Sequence, residues 1–312
     1  VRALDVDTKD TPRAIAWRML AELLDTGAPV VVGHEGGVRR GLTLVPAELS
    51  GEPVVPLDAD GVVLLTGGAR GVTARVALEL ARTSRCHIEI MGRTPEPVGE
   101  PEYPDIPDEA GLRRALVAAG RSQDIEPTIR QILVDREIRR NLEALREHAA
   151  SVRYHSGDVR DGFTVRELVG GVHRRHGRLD GIVHGAGLVE NRLIQDKMPL
   201  SFERVYRTKV DGACALAQAA KPNLGFFVVL GGLAGVQGAR GEADHAAASD
   251  ACAALAQIWR TRLRGRVLVA DWARWGTGAA DGPIEPGAGA AALLREIAHG
   301  DETQVVFTGA GP

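Results

Sequence analysis

The sequence predicts an α/β protein, a doubly wound parallel sheet carrying a small N-terminal αβ appendage. Three observations predict it. From residue 61 onward, short apolar runs alternate with longer amphipathic segments, the strand–helix alternation that winds a parallel sheet. The first run, Val62–Leu65, ends at Thr66 and passes through the turn Gly67-Gly68-Ala69-Arg70-Gly71-Val72 into the apolar-periodic segment Ala74–Leu80. That order is strand, tight turn, helix. Finally, 38 glycines against 4% aromatics suit buried strands joined by close turns.

Taken in order, residues 1–55 form the appendage and residues 56–312 the main domain. Pro12–Leu24 has helical periodicity, with proline in the first turn and Thr11 as N-cap. Pro29–Val32 and Gly41–Val45 read as strands around the hairpin-like turn GHEGGVRR, and Ser50–Pro56 as a linker. In the main domain His87–Met91 is the second strand and Pro95–Pro107 a proline-rich acidic loop. Two surface helices follow, Glu109–Ala119 and Glu126–Ala149. The second has a buried stripe of Ile129, Ile132, Leu133, Ile138, Leu142 and Leu145, and its Arg/Glu run reads as a solvated face. Further strands are expected at Ser151–Tyr154, Gly181–His184, Phe226–Leu230, Val267–Asp271 and Gln304–Thr308. They alternate with helices at Phe163–His176, Ser201–Lys221, Asp244–Leu263 and Ala288–Ala298.

Composition excludes several classes of function. A net charge of −3 gives no reason to expect nucleic acid or an anionic membrane as partner. No apolar run approaches the ~20 residues of a membrane span, and no signal-peptide pattern opens the sequence. The expected location is cytoplasmic. Cys86, Cys214 and Cys252 lie far apart without metal-ligand spacing, so buried packing is expected and neither a disulfide nor a metal site. The chain starts at Val1 rather than methionine, and a piece excised from a longer polypeptide is expected.

The glycine-rich turn is the candidate binding element. Backbone N–H groups at a helix N-terminus hold a pyrophosphate, and glycines let it approach. Gly67, Gly68 and Gly71 supply the turn, while Thr73 stands where a third glycine would pack helix on strand. Arg93, just after the second strand, is placed to pair with a 2′-phosphate, which favours NADPH; the competing reading is a solvated surface arginine.

Three motifs together resemble the short-chain dehydrogenase/reductases, a Rossmann-like superfamily. Thr66–Val72 resembles its TGxxxG turn, Asp158-Val159 the pair that meets the adenine, and His184-Gly185-Ala186-Gly187 the NNAG segment behind the cofactor. Over roughly residues 30–312 the closer resemblance is to ketoreductase domains of type I iterative polyketide and polyunsaturated fatty acid synthases. Gly68–Ala74 looks like their GGARGVTA, and REIRRNLEALREHAA like the end of their insertion. Lys209-Val210-Asp211-Gly212-Ala213 matches KVxGA, the stretch from Gly232 follows SxAGxxGxxGQxxYAAANxxLxALA, and residues 29–56 resemble the end of the structural subdomain that precedes such domains, which makes residues 1–55 the end of that subdomain.

The resemblance implies NADPH, an acyl chain on a carrier protein, and neighbouring synthase domains as partners. It also implies a tyrosine acid, a serine, a lysine and an asparagine. In register, His245 stands at the tyrosine, Gly232 at the serine and Ser249 at the asparagine; Lys209 alone is retained, one residue nearer the glycine pair than the pattern has it. Gly232 offers no hydroxyl, and one lost oxyanion donor typically costs ~10²–10³ in rate. His245 could donate a proton near its free pKa of about 6.5, but Lys209 opposes its protonation. The expectation is a ketoreductase-type domain with weak or absent reduction. Two alternatives stay open, a redox-silent structural domain and non-redox proton transfer by His245, Lys209, Glu242 or Asp244, the two carboxylates being expected as solvated.

Overall fold

The computed structural model describes residues 3–27, 31–99, 101–121, 124–276 and 284–309. The chain divides into two compact units, residues 1–48 and 49–311.

In the first unit, β1 (Ala3–Val6) runs parallel to β2 (Val31–Glu35), which pairs antiparallel with β3 (Val38–Gly41). Helix α1 (Pro12–Leu24) begins as expected, the Thr11 hydroxyl accepting from the Ala14 N–H. Its buried Glu22 ties the helix to the hairpin, accepting from Arg39 Nε (2.6 Å) and Nη2 (2.9 Å) and meeting His34 Nε2 at 3.0 Å. Arg39 holds its carboxyl down at about 2. The sequence reading of this unit needs three corrections. It contains no expectation of β1. The turn is only Gly36-Gly37, both at positive φ, the geometry that closes a two-residue hairpin, so most of GHEGGVRR is strand. Leu42–Val45 has no regular structure, and Pro29 lies outside the described residues.

In the second unit, the described residues form a seven-stranded, all-parallel sheet. Its strands are β4 (Val62–Thr66), β5 (His87–Gly92), β6 (Ser151–Ser156), β7 (Gly181–His184), β8 (Phe226–Gly232), β9 (Arg266–Trp272) and β10 (Gln304–Phe307). Their order is β10-β9-β8-β7-β4-β5-β6, so the winding reverses between β4 and β7. The crevice outside the carboxyl ends of those two strands is where such sheets bind ligands.

Helices cover both faces. Helices α2 (Gly71–Ser84), α4 (Ile125–His148) and α9 (Pro286–His299) pack on one core, with Leu80, Leu142 and Leu293 buried against Ile88 and Leu268. On the other, α5 (Gly162–His176), α6 (Pro199–Ala219) and α8 (Ala243–Arg262) bury Val169, Leu216 and Ala256 against Phe227 and Val229. The expected stripe of α4 serves two clusters. Ile138, Leu142 and Leu145 join the main core, whereas Ile129 and Ile132 pack with Leu112 and Leu116 of α3 (Glu109–Ala118). The face of α4 expected to be solvated is partly engaged, because Arg136 and Arg139 donate to backbone carbonyls of residues 98–106. Cys86 and Cys252 are buried and Cys214 partly so, all free.

Candidate active site

The glycine-rich turn joins β4 to α2 at the point of reversal. Gly67 (φ +75) and Gly71 (φ +56) adopt the left-handed conformation, which an L side chain rarely enters. Gly68 is needed for space, since a Cβ there would lie 2.8 Å from that of Leu65. Thr73 is buried, and a Cβ at Gly185 would collide with its hydroxyl. The close approach of helix and loop is therefore kept, with the small residue moved from α2 to the segment after β7.

The N–H groups of Val72 and Thr73 have no hydrogen-bond partner among the described residues. That of Gly71 donates to Glu137 Oε1 on α4 at 3.0 Å, and Asn141 Nδ2 donates to the Ala69 carbonyl at 2.8 Å. Two open N–H groups above a glycine turn fit a pyrophosphate. Arg70 and Arg93 are both exposed, available to a 2′-phosphate. Asp158 is gripped by Arg160, which holds its carboxyl below the usual range. Val159 packs on Gly212 of α6, where a Cβ would come within 2.9 Å.

His184 fastens the opposite wall. Its Nε2 lies 3.0 Å from the Lys209 carbonyl, which can only accept, so Nε2 carries the proton and Nδ1 accepts from the Thr66 hydroxyl at 2.7 Å. Burial, then Lys209, pushes the imidazole down to about 3, so it remains neutral. The Ala186 N–H reaches the same Thr66 oxygen at 3.4 Å, fixing Gly185-Ala186-Gly187 beside the turn.

Lys209, from α6, is buried and donates through Nζ to the Leu230 carbonyl at 2.5 Å. A Cβ at Gly187 would lie 3.9 Å from Nζ. The lysine thus reaches the end of β8 despite the shortened spacing. Burial lowers its pKa, and Cys252 and Asp271 oppose this. His245, in the first turn of α8, turns inward so that a Cβ at Gly232 would collide with its Nε2. Burial, then Lys209, pushes its pKa down to about 4, with Asp244 opposing. It is a neutral imidazole at pH 7, not the acid near 6.5 that its type suggests. Ser249 is buried with its hydroxyl unpartnered, packed under Gly235.

The structure therefore brings Lys209, Gly232 and His245 together, and places Thr66–Val72 and Gly185–Gly187 along the same crevice. It also reveals two groups not singled out from sequence. Asp271 is buried on β9; its Oδ2 accepts from Gln304 Nε2 at 2.7 Å, and burial pushes its pKa up to about 6, with Gln304, Lys209 and the Gly232 N–H opposing. A lone acid ending the apolar run Val267–Ala270 was the available signal. The other is the pair Lys197–Asp244 (2.6 Å), which corrects the expectation that Asp244 is solvated. No spacing rule links residues 47 apart. Among the described residues no group of His, Cys, Asp or Glu could hold a metal.

The family model described as KR domain matches residues 61–277. The chain is 29% identical over 267 residues to a polyunsaturated fatty acid synthase polypeptide of a Thraustochytrium species, covering 80% of this chain and 10% of that one. It is 35% identical over 267 residues to polyketide synthase GfsE of Streptomyces halstedii, covering 81% and 6% respectively. The chain thus spans a tenth or less of the length of these relatives. Among solved structures, a ketoreductase domain from the bacillaene assembly line superposes with a TM-score of 0.71 at 25% identity, over 98% of this chain and 68% of that one. The ketoreductase from the first phoslactomycin module of Streptomyces sp. HK803 gives 0.75 at 20% identity, over 99% and 66%.

Proposed function

Because the chain belongs to the KR domain family, we propose that it is a ketoreductase-type synthase domain that binds NADPH and receives a β-ketoacyl thioester on a carrier protein, with reduction weak or absent. One observation carries the second half of this reading. The ring of His245 occupies the space beside Gly232 where a serine side chain would begin.

Residues Thr66, Gly67, Gly68, Arg70, Gly71 and Val72 would hold the pyrophosphate, Arg93 the 2′-phosphate, Asp158 and Val159 the adenine end, and Gly185, Ala186 and Gly187 the nicotinamide end. Bound NADPH supplies a hydride for the β-carbon. The chain must then place a donor at the developing oxyanion, and it is poorly equipped to do so. Gly232 has no hydroxyl, His245 is held neutral, and Lys209 already donates to the Leu230 carbonyl. Loss of one such donor costs ~10²–10³ in rate; the serine hydroxyl is absent here, and the N–H of a neutral imidazole is a weaker donor than an imidazolium.

The relatives are parts of multidomain synthases, which supports neighbouring synthase domains as partners. No described helix is long and apolar enough to cross a membrane; a cytoplasmic location remains part of the proposal. The second reading, a redox-silent domain kept for architecture, is favoured by the same filling of the pocket by His245. Non-redox proton transfer loses one of its groups, since Asp244 is sequestered by Lys197.

Titration with NADPH, followed by cofactor fluorescence, tests the binding half. Supplying a β-ketoacyl thioester while monitoring NADPH absorbance tests the chemistry. Binding with little or no turnover is expected. Turnover at rates typical of enzymes, on the order of 1–10³ per second, refutes the eroded site, and absence of binding leaves only the structural role.

A further inference from the structure

Residues 188–198 leave the glycine segment at the end of β7 and return to α6 as a strap, tied to the turn between the short helix α7 (Ala234–Gln237) and α8 and to the first turn of α8. The Arg192 N–H donates to the Gly241 carbonyl at 2.9 Å, and Asn191 Nδ2 to Glu242 Oε1 at 3.3 Å. Both of these bonds are at the surface, where water competes. The third tie is different. Lys197 Nζ donates to Asp244 Oδ2 at 2.6 Å and to the Glu190 carbonyl at 2.8 Å, with side chains only 3% and 1% exposed for Lys197 and Asp244. The other carboxylate oxygen of Asp244 accepts the backbone N–H of His245 at 2.9 Å. One carboxylate thus holds the strap with one oxygen and the first turn of the His245 helix with the other.

We infer that Lys197 and Asp244 form a lock that keeps the strap closed on the helix bearing His245, and that Lys197 is a positioning residue acting on His245 through Asp244. Opening the strap separates two charges that are out of water, so each would be left buried and uncompensated or would have to be hydrated. The surface bonds alone carry no such penalty. The charges that face the imidazole are Lys209 from α6 and Asp244 on its own helix. By pairing with Asp244, Lys197 fixes how much negative charge His245 experiences. Passage of an acyl chain beneath the strap rests on the reading given under Proposed function; the lock itself does not.

The test uses the whole chain and three variants, Lys197→Met, Asp244→Asn and the double variant Lys197→Met/Asp244→Leu. Hydrogen exchange reports the strap at the Arg192 amide, and NMR of the His245 ring reports the charge beside it. Either single variant is expected to speed exchange at Arg192 by ~10-fold or more, as local opening becomes easier. The His245 pKa is expected to rise in Lys197→Met, where Asp244 is unmasked, and to fall in Asp244→Asn. A merely structural role moves both toward the value of a solvated imidazole, in the same direction. The apolar double variant, which leaves no orphan charge, is expected to fold with its strap protected and His245 titrating below wild type. Unchanged exchange in both single variants, like-signed His245 shifts, or a folded double variant with wild-type titration each overturn the inference. NADPH titration of the wild type runs in parallel; its failure removes the cofactor reading and leaves these readouts standing.

Discussion

Replacing Asp271 with asparagine isolates the energetic cost of the most unusual ionisable group at the site. In the folded chain its carboxyl is buried on β9 beside Gly231, with one oxygen bonded to Gln304. Burial raises its pKa from 3.8 to about 6, against smaller opposing effects of Gln304, Lys209 and the Gly232 N–H. Between those two values the folded chain holds a proton that the unfolded chain has released, so stability falls as pH rises through the window. The full cost well above pH 6 is ~3 kcal/mol, of which roughly 1 kcal/mol is incurred between pH 5 and pH 8. An amide does not titrate, so Asp271→Asn removes the slope. It also adds a pH-independent cost of ~1–3 kcal/mol if its new N–H₂ group finds no acceptor. Urea unfolding of both proteins at pH 5, 6, 7 and 8 separates the two, because only the carboxyl makes the difference between the curves change with pH. The variant should gain on the wild type by roughly 1 kcal/mol from pH 5 to 8. A flat difference, or one of opposite sign, refutes the assignment of an unwillingly ionised Asp271.

Other outcomes follow from contacts already described. Gly232→Ser alone should destabilise the fold without raising turnover, because its Cβ meets the His245 ring; adding His245→Ala should recover the melting temperature, and adding His245→Tyr instead should raise NADPH consumption. Gly185→Ala should lower stability by ~1–3 kcal/mol through overpacking on Thr73, with recovery in Gly185→Ala/Thr73→Gly measured by denaturant midpoint. Buried Glu89 receives Arg175 at 2.9 Å, His176 at 2.8 Å and His155, and although burial opposes ionisation these partners bring its pKa down to about 2. Its stabilisation is therefore present above pH 4.5 and lost as pH falls toward 2. Glu89→Gln should cost ~1–3 kcal/mol near pH 7 by removing the charged acceptor that Arg175 and the two imidazoles share, and in an acid titration of ellipticity the variant should lack the wild type's lowest-pH loss of structure.

Most of the sheet was legible because each strand is a short apolar run closed by a turn residue, as at Thr66, Gly92 and His184, and local patterns of that kind survive folding unchanged. The first unit was read less well. Its hairpin depends on two adjacent glycines both taking positive φ, and its first strand, Ala3–Val6, is too short and mixed to show a period. At the site, Gly232 and His245 belong to one segment and lie side by side in the structure. What the sequence could not convey was the state of those groups. The low pKa of His245 is set first by burial, the proton on His184 by a carbonyl from α6, and the pairing of Lys197 with Asp244 by a loop and a helix start that only the closed fold makes neighbours.

The bonds from Glu137 to the Gly71 N–H and from Asn141 to the Ala69 carbonyl have a bearing on how this chain can be altered. Both come from α4, within the long segment, residues 93–150, that separates β5 from β6, and both grip the backbone of the turn itself. The turn's shape is thus held from outside as well as by its own glycines. Exchanging the segment between β5 and β6 for a shorter connection would leave strand order intact and still loosen the loop that the crevice depends on, so this region cannot be traded as an independent cassette.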